Sequence, residues 1–433
     1  MIPRKLKFLA LFTALVFVFC EWIVYYVVIY QCSWPELSPE GKKWGVDPLR
    51  AMFLTDTHLL GSEDGHWFDK LRREWQMERA FQTAITIFEP DVVFVLGDLF
   101  DEGMKCSDEE FEYHVSRFHK MFRHPQDMQF HVVVGNHDIG FHDVASVKKA
   151  HFERFSKAFN VPPAELLQIK GNVFVVVNSI GLEGDNCYMC SNVVSQMKQI
   201  ARKINCYEER GNTRRNIIKE LEKTQECEVP YDAPSPILIQ HYPLYREDEK
   251  KCTGVDAPPP DQQSKVNRPK WEVVSQEATA LLLESFRPRL VLSGHTHHGC
   301  YLIHDDGTPE LTIPSFSWRN RNNPSFVMCR RVMMMRGDDG DVVGGGDDGN
   351  DDGCNDEKRG ETMLLVEVMM VIMMVVMMRK EVIAMLVVVV MRRGDDGDVV
   401  GEGNDGNDDG CGDEKRVDDG DVGEGNDGGC GDD

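Results

Sequence analysis

Five short apolar runs in the middle of this chain each end in residues able to hold a metal ion. They are AMFLTDTH (Ala51 to His58), DVVFVLGDLFDEG (Asp91 to Gly103), FHVVVGNHD (Phe130 to Asp138), PILIQHYP (Pro236 to Pro243) and RLVLSGHTHHG (Arg289 to Gly299). Their ends supply Asp56 and His58, then Asp98, then Asn136, then His241, then His295 and His297. Two carboxylates, an amide oxygen and four imidazoles make a mixed oxygen and nitrogen donor set. Such a set suits manganese, iron or zinc and is poor for calcium, which prefers oxygen alone. Residues i and i+2 of an extended chain point to the same side, so Asp56 and His58 can reach one ion, and His295 and His297 share a face across Thr296. Gly97, Gly135 and Gly294 are expected to let the chain turn sharply where it meets the ions. Each fragment alone is weak, because Gly-Asn-His is a turn tripeptide and a lone histidine such as His241 is commonly an ordinary core or surface residue. The ordered set is what specifies a metal site.

The elements carrying these ends are legible from the same runs. Apolar residues are continuous rather than alternating, which predicts strands covered on both faces. NVFVVVNS has the same character without a ligand at its end and reads as a plain core strand. Cover must come from helices, and His66 to Phe88 places Trp67, Leu71, Trp75, Met77, Phe81, Ile85 and Phe88 near helical spacing with charges between them. In sheets flanked by helices, ligands gather beyond the carboxyl ends of the strands. That is where all five donor groups fall.

The order D-x-H, G-D-x-x-D, G-N-H-D, H, G-H-T-H resembles the calcineurin-like metallophosphoesterase superfamily from about Leu49 to Phe326. The resemblance implies an α/β fold, a sandwich of two mixed β-sheets flanked by helices, with two divalent metal ions. One ion would be held by Asp56, His58, Asp98 and His297, the other by Asp98, Asn136, His241 and His295, with Asp98 bridging. Such a pair activates water and clamps phosphoryl oxygens for in-line attack. His137 would face the substrate phosphate as the catalytic residue, stabilising the transition state or protonating the departing oxygen. Asp138 is expected either to orient His137 or to cap the surface, Asp101 to stand behind a metal-bound histidine, and His298 to be incidental.

A narrower resemblance rests on FCEWIVYYVVIYQCSWPE, TDTHLLG and SFSWRNRNNPSF. These stretches are similar to a membrane-anchored branch of the family that removes ethanolamine phosphate from a mannose of GPI anchors. That likeness implies manganese as the metal, GPI-anchored proteins as substrate, and a lumenal catalytic domain in the ER, the ER-Golgi intermediate compartment or the cis-Golgi, supporting ER-to-Golgi transport. Arg319 and Arg321 could bind glycan or phosphate, or sit on a solvated loop. The Pro-rich segment Cys252 to Lys270 reads as a long loop able to act as a lid. Two other readings stay open: a phosphatase or nucleotidase with another lumenal or extracellular substrate, and a non-catalytic trafficking scaffold. A scaffold would be expected to lose metal ligands, and here the whole set is present.

Three segments of different composition divide the chain. Residues 1–31 read as a short cytosolic tail and a membrane anchor: Phe8 to Tyr30 holds one charge, Glu21, and is long enough to cross the roughly 30 Å hydrocarbon layer. Arg4, Lys5 and Lys7 precede it and would stay cytosolic. Residues 49–326 read as the catalytic domain. Residues 332–433 are low-complexity Gly/Asp and Met/Val repeats, expected to be disordered or a translated nucleotide repeat. Shifting plausible codons for Asp341 to Lys358 by one base reproduces Met363 to Lys380 at every position except Ile372. The apolar Met/Val block is therefore not expected to be a second span. Most of the net charge of −24 also lies in this region. The body is near neutral and has no basic stripe interleaved with aromatics, so no nucleic-acid partner is expected. Cys187 and Cys190 lack the second close pair a zinc knuckle needs, and disulfides or free thiols are expected.

Overall fold

A computed structural model describes residues 3–35 and 47–331, except 64, 143–144, 184–186, 210–228, 230–232, 255 and 322–323. The expectations for 332–433 lie outside the described residues. The strands are β1 (Leu49–Leu54), β2 (Val92–Val95), β3 (Gln129–Val132), β4 (Ala164–Ile169), β5 (Asn172–Val177), β6 (Ile237–Ile239), β7 (Leu290–Ser293), β8 (Cys300–Ile303), β9 (Pro309–Thr312) and β10 (Val327–Arg331). They form two sheets, ordered β10-β1-β2-β3 and β4-β5-β6-β7-β9-β8. Both are mixed. The strands that lead to ligands run parallel to their ligand-bearing neighbours, and antiparallel strands sit toward the edges.

The helices are α1 (Arg4–Ile29), α2 (Trp67–Phe88), α3 (Asp108–Met121), α4 (Ala145–Phe159), α5 (Tyr188–Glu209) and α6 (Gln276–Phe286). The period-2 geometry of the strands explains their unbroken apolarity. Ala51, Phe53, Val92, Phe94, Phe174, Val176, Ile237 and Ile239 meet between the sheets. The residues that alternate with them, such as Met52, Leu54, Val93, Val95, Val175 and Leu238, pack with helix residues Phe81, Phe118, Phe155 and Leu282. Phe94 joins both sheets, with ring centroids 5.2 Å from Phe53 and 5.2 Å from Phe174. The result is helix, sheet, sheet, helix, with every central strand buried twice.

One edge of the first sheet lies beyond the bounds read from the sequence. β10 pairs antiparallel with β1, Leu49 against Arg331 and Phe53 against Val327, so the folded domain continues beyond residue 326 to the start of the repeats. Alternation was hard to see there because Val327 and Cys329 are buried while charged residues follow at once. α1 passes through a π-helical turn at Phe19–Ile23. It is the one helix among the described residues long and apolar enough to cross a membrane.

Candidate metal centre

The parallel strands all point the same way, so their carboxyl ends open on one place. Asp56, His58 and His297 bring ligand atoms within 4.8 Å of one another, and Asp98, His241 and His295 do the same. Asn136 joins the second group, its Oδ1 lying 3.1 Å from His241 Nε2. Asp98 stands between them: its Oδ2 is 3.6 Å from His58 Nε2 and 3.4 Å from His241 Nε2. The structure thus brings together every donor named from the sequence, with Asp98 shared.

Backbone geometry is part of the site. Asp56, His58, Asp98, His295 and His297 all adopt positive φ, between 42° and 74°. Such conformations cost on the order of 1–3 kcal/mol each away from glycine and persist where surrounding structure enforces them. Here the enforcers are backbone hydrogen bonds: the amide of Asp56 donates to Gly97 O, that of His58 to Asp98 O, and that of Phe316 to Thr55 O. The glycines act in two ways. Gly97 takes φ 97°, as expected of a turn. Gly135 has extended backbone, and a side chain there or at Gly294 would collide with Asp98 or with Thr55 and Asp56. Close approach, not turning, requires those two.

Three of the four imidazoles are oriented by their other nitrogen. His241 Nδ1–H donates to Leu96 O at 2.7 Å and His295 Nε2–H to Trp271 O at 2.6 Å, because a carbonyl can only accept. His58 Nδ1–H donates to Asp101 at 3.1 Å. The remaining nitrogens face inward and face each other: His58 Nε2 is 3.0 Å from His297 Nε2, and His241 Nε2 is 3.3 Å from His295 Nδ1. Two facing lone pairs need a proton or a cation between them. Asp56 Oδ2 accepts from Thr55 Oγ1 and His295 N, while Asp56 Oδ1 is buried without a hydrogen-bond partner and lies 3.6 and 3.5 Å from His58 and His297 Nε2. This arrangement of inward lone pairs and an orphaned carboxylate oxygen fits divalent cations held by nitrogen and oxygen.

Protonation follows the same pairing. Burial alone would lower His58, but hydrogen bonding to Asp101 and Asp56 pushes it up to about 10. Burial would likewise lower His241, but Asp98 overcomes it and raises His241 to about 9. Their partners go the other way: burial and the neighbouring His241 charge lower His295 to about 3, and burial lowers His297 to about 4 with the His58 charge adding to it. Each facing pair in the metal-free protein therefore carries a proton where a cation would sit. Metal uptake at neutral pH is expected to release protons, and apparent affinity to rise by up to roughly tenfold per pH unit for each proton displaced until the pH passes those values. Calorimetry in buffers of different protonation enthalpy reads the release; identical heats in all buffers would contradict it.

His137 lies beside the ligand ring, its imidazole edge-on to His58 with centroids 4.7 Å apart. Its Nδ1–H donates to Asp101 O at 2.9 Å, leaving Nε2 as the nitrogen available to a substrate. Asp138 neither orients His137 nor caps the surface. It is fully buried and accepts from Phe100 N and Gly135 N at 3.1 and 2.9 Å. Burial and the nearby Asp98 charge push it up to about 8. His298 Nδ1–H donates to Thr296 O at 2.9 Å, within its own loop.

The arginines are committed elsewhere than to a ligand. Arg319 Nε and Nη2 lie 2.9 and 2.7 Å from Asp101 Oδ2, so Arg319, Asp101 and His58 form one chain of charge-assisted hydrogen bonds. Arg321 holds Asp256 at 2.5 Å and donates to His297 O at 3.0 Å. That contact, with the Cys252–Cys300 disulfide, ties the Cys252 to Lys270 segment to the ligand loop rather than leaving it a free lid. Cys187 and Cys190 are also disulfide-bonded. Asp101→Asn is expected to weaken metal binding about 10–100-fold, the usual effect of losing a partner behind a ligand, because His58 loses the charge that orients it. Metal titration of the variant checks this, and unchanged affinity would refute it. The carbonyls of Leu96 and Trp271, and Ser315, whose Oγ donates to Asp56 O at 2.8 Å, were missed from sequence. Backbone acceptors carry no residue-type signal.

Residues 49–299 match the calcineurin-like phosphoesterase family. Proteins called Metallophosphoesterase 1 from Danio rerio and Mus musculus are each 49% identical to this chain, over 72% of it and over 79% and 76% of their own lengths. Among solved structures, a dimetal phosphatase from Danio rerio aligns over 66% of this chain and 94% of its own, at 14% identity and a TM-score of 0.37. The family match runs from the first residue of β1 to the glycine just past the last donor loop, so the segment that builds the centre is also the segment shared: this chain belongs to the calcineurin-like phosphoesterase family and is a hydrolase of phosphoester bonds.

Proposed function

We propose that this protein is a membrane-anchored phosphodiesterase that removes ethanolamine phosphate from a mannose of GPI anchors, with manganese as its metal, and so supports transport of GPI-anchored proteins from the ER to the Golgi. The observation that carries the hydrolytic part is the pair of donor clusters sharing Asp98. Support for the narrower substrate comes from the flanking stretches around the anchor and SFSWRNRNNPSF, and from the apolar α1, which would keep the site near a lipid-linked substrate. Arg4, Lys5 and Lys7 favour a cytosolic N-terminus and hence a lumenal catalytic domain.

Asp56, His58, His297 and Asp98 would hold one cation, and Asp98, Asn136, His241 and His295 the other. Bound there, two divalent cations supply Lewis-acid polarisation of phosphoryl oxygens and a lowered pKa for water. The rest of the chemistry belongs to the chain. Asp98 fixes the spacing of the two donor groups and accepts from His137 N at 2.8 Å. His137, with Nδ1 tied to Asp101 O, presents Nε2 to the phosphoryl group or departing oxygen.

The test uses the full chain: manganese-dependent release of ethanolamine phosphate from a GPI glycan, measured beside hydrolysis of a generic phosphodiester. Release above the generic rate supports the proposal. Generic turnover without GPI activity would assign the site to another substrate, and neither metal binding nor turnover would leave a scaffold.

A further inference from the structure

α1 and the short segment that follows it meet α2 at two points that fix their relative direction. Near the start of the contact, Trp22 and Trp75 meet edge to face at 5.4 Å, with the Arg79 guanidinium 4.6 Å from one ring and 4.9 Å from the other. Further along both chains, Trp34 Nε1–H donates to Phe88 O at 3.0 Å. Between these points Val24, Val28 and Ile29 are buried. Trp75 to Phe88 spans about 20 Å of helix at 1.5 Å per residue, so α1 and α2 advance together, away from the amino-terminal half of α1.

Followed backward, both helices therefore run toward the same side. Upstream of Trp22, α1 exposes Phe8, Leu11, Leu15 and Phe17, the surface expected of a segment surrounded by lipid. Upstream of Trp75, the first turns of α2 expose Trp67 (68%), Phe68 (50%) and Leu71 (62%). Trp67, Leu71 and Trp75 recur at i, i+4 and i+8, a single stripe that leads directly onto Trp22. Lys70, Arg72 and Arg73 sit among them, with Asp69 and Glu74 as acidic neighbours, Glu74 paired with Arg117. Large apolar side chains beside cations, continuous with a membrane-spanning helix, have the character of a segment seated at the headgroup and acyl boundary.

We infer that the amino-terminal turns of α2, through Trp67, Phe68 and Leu71, insert into the leaflet that α1 leaves on the side of the catalytic domain. The protein then has a second, monotopic attachment whose occupant is the lipid bilayer itself. His58 lies only a short loop before this helix in sequence, so the attachment would hold the first donor loop close to the membrane surface and favour phosphoesters carried by membrane-bound molecules. This rests on the reading of α1 as a membrane span.

The experiment places the full chain in phosphatidylcholine vesicles with or without brominated acyl chains and follows tryptophan emission. Bromination is expected to quench emission. Trp67→Tyr should remove part of the quenched component, and adding Leu71→Trp should return it. Trp34→Tyr should leave it unchanged, because Trp34 lies at the far end of the contact. Trp67 is exposed, and an unchanged thermal melt in detergent checks that the variant is folded. A chain that floats with the vesicles but shows no quenching dependent on positions 67 or 71 overturns this inference and leaves the anchor standing. A chain that does not associate with vesicles overturns both.

Discussion

Asp98→Ala is expected to remove metal from both halves of the centre and to abolish turnover, by more than the roughly 10²–10³ that follows loss of a single electrostatic donor. The reason is its position. One buried carboxylate faces His58 at 3.6 Å and His241 at 3.4 Å through the same oxygen, while its other oxygen accepts from His137 N at 2.8 Å. Removing it takes a donor from each group and loosens His137, the residue proposed to face the substrate. The His241 proton, held against burial chiefly by Asp98, would also lose its main counter-charge, while His58 keeps Asp101 and Asp56. Elemental analysis of purified protein, with turnover of a generic phosphodiester, measures both effects. Asp98→Asn separates charge from shape, since it keeps the acceptor toward His137 and loses the anion. Full metal content with near-normal turnover in either variant would refute the shared-ligand assignment.

His137→Ala should behave differently: turnover falls by roughly 10²–10⁴, the range for loss of a positioned acid, and metal content stays near normal. His137 is outside the facing lone-pair pairs, and its Nδ1 is already engaged by Asp101 O at 2.9 Å. A substrate with a weakly basic leaving group gives the discriminating readout. If His137 protonates the departing oxygen, the loss shrinks on a nitrophenyl ester, which needs no proton. An equal loss on both substrates assigns it to stabilising charge on the phosphoryl oxygens. Loss of metal along with activity would place it among the ligands instead.

Particular residues show how much could be read early. The donors Asp56, His58, Asp98, Asn136, His241, His295 and His297 were legible because ligand chemistry is a property of residue type, and their place at strand ends is a property of local pattern. The double burial of β1, β2 and β5 was legible from unbroken apolarity. The roles of Arg319, Arg321 and Asp138 were not. For Arg319 the sequence left glycan or phosphate binding and a solvated loop both open, and it did not show that Asp101, far away in sequence, pairs with its guanidinium. Asp138 read either as a partner of His137, its chain neighbour, or as a surface cap, but a single helical turn directs its buried carboxylate back to Gly135 N and Phe100 N. Adjacent residues on a turn of helix do not face each other. β10 was missed because a short edge strand ending in charge carries little periodic signal.

By itself the sequence determined which atoms can bind metal, their order along the chain, the strands that carry them and the apolar helix ahead of them. Those depend on side-chain type and on periods of two and 3.6 residues, both local. Only the tertiary structure decided that Asp98 stands between two clusters, that Leu96 O, Trp271 O and Asp101 turn one nitrogen of His241, His295 and His58 inward, and that five of the candidate donors occupy left-handed backbone. A carbonyl looks the same in every residue. Where it points is settled by packing between segments far apart in the chain, and so is the direction in which α2 runs beside α1.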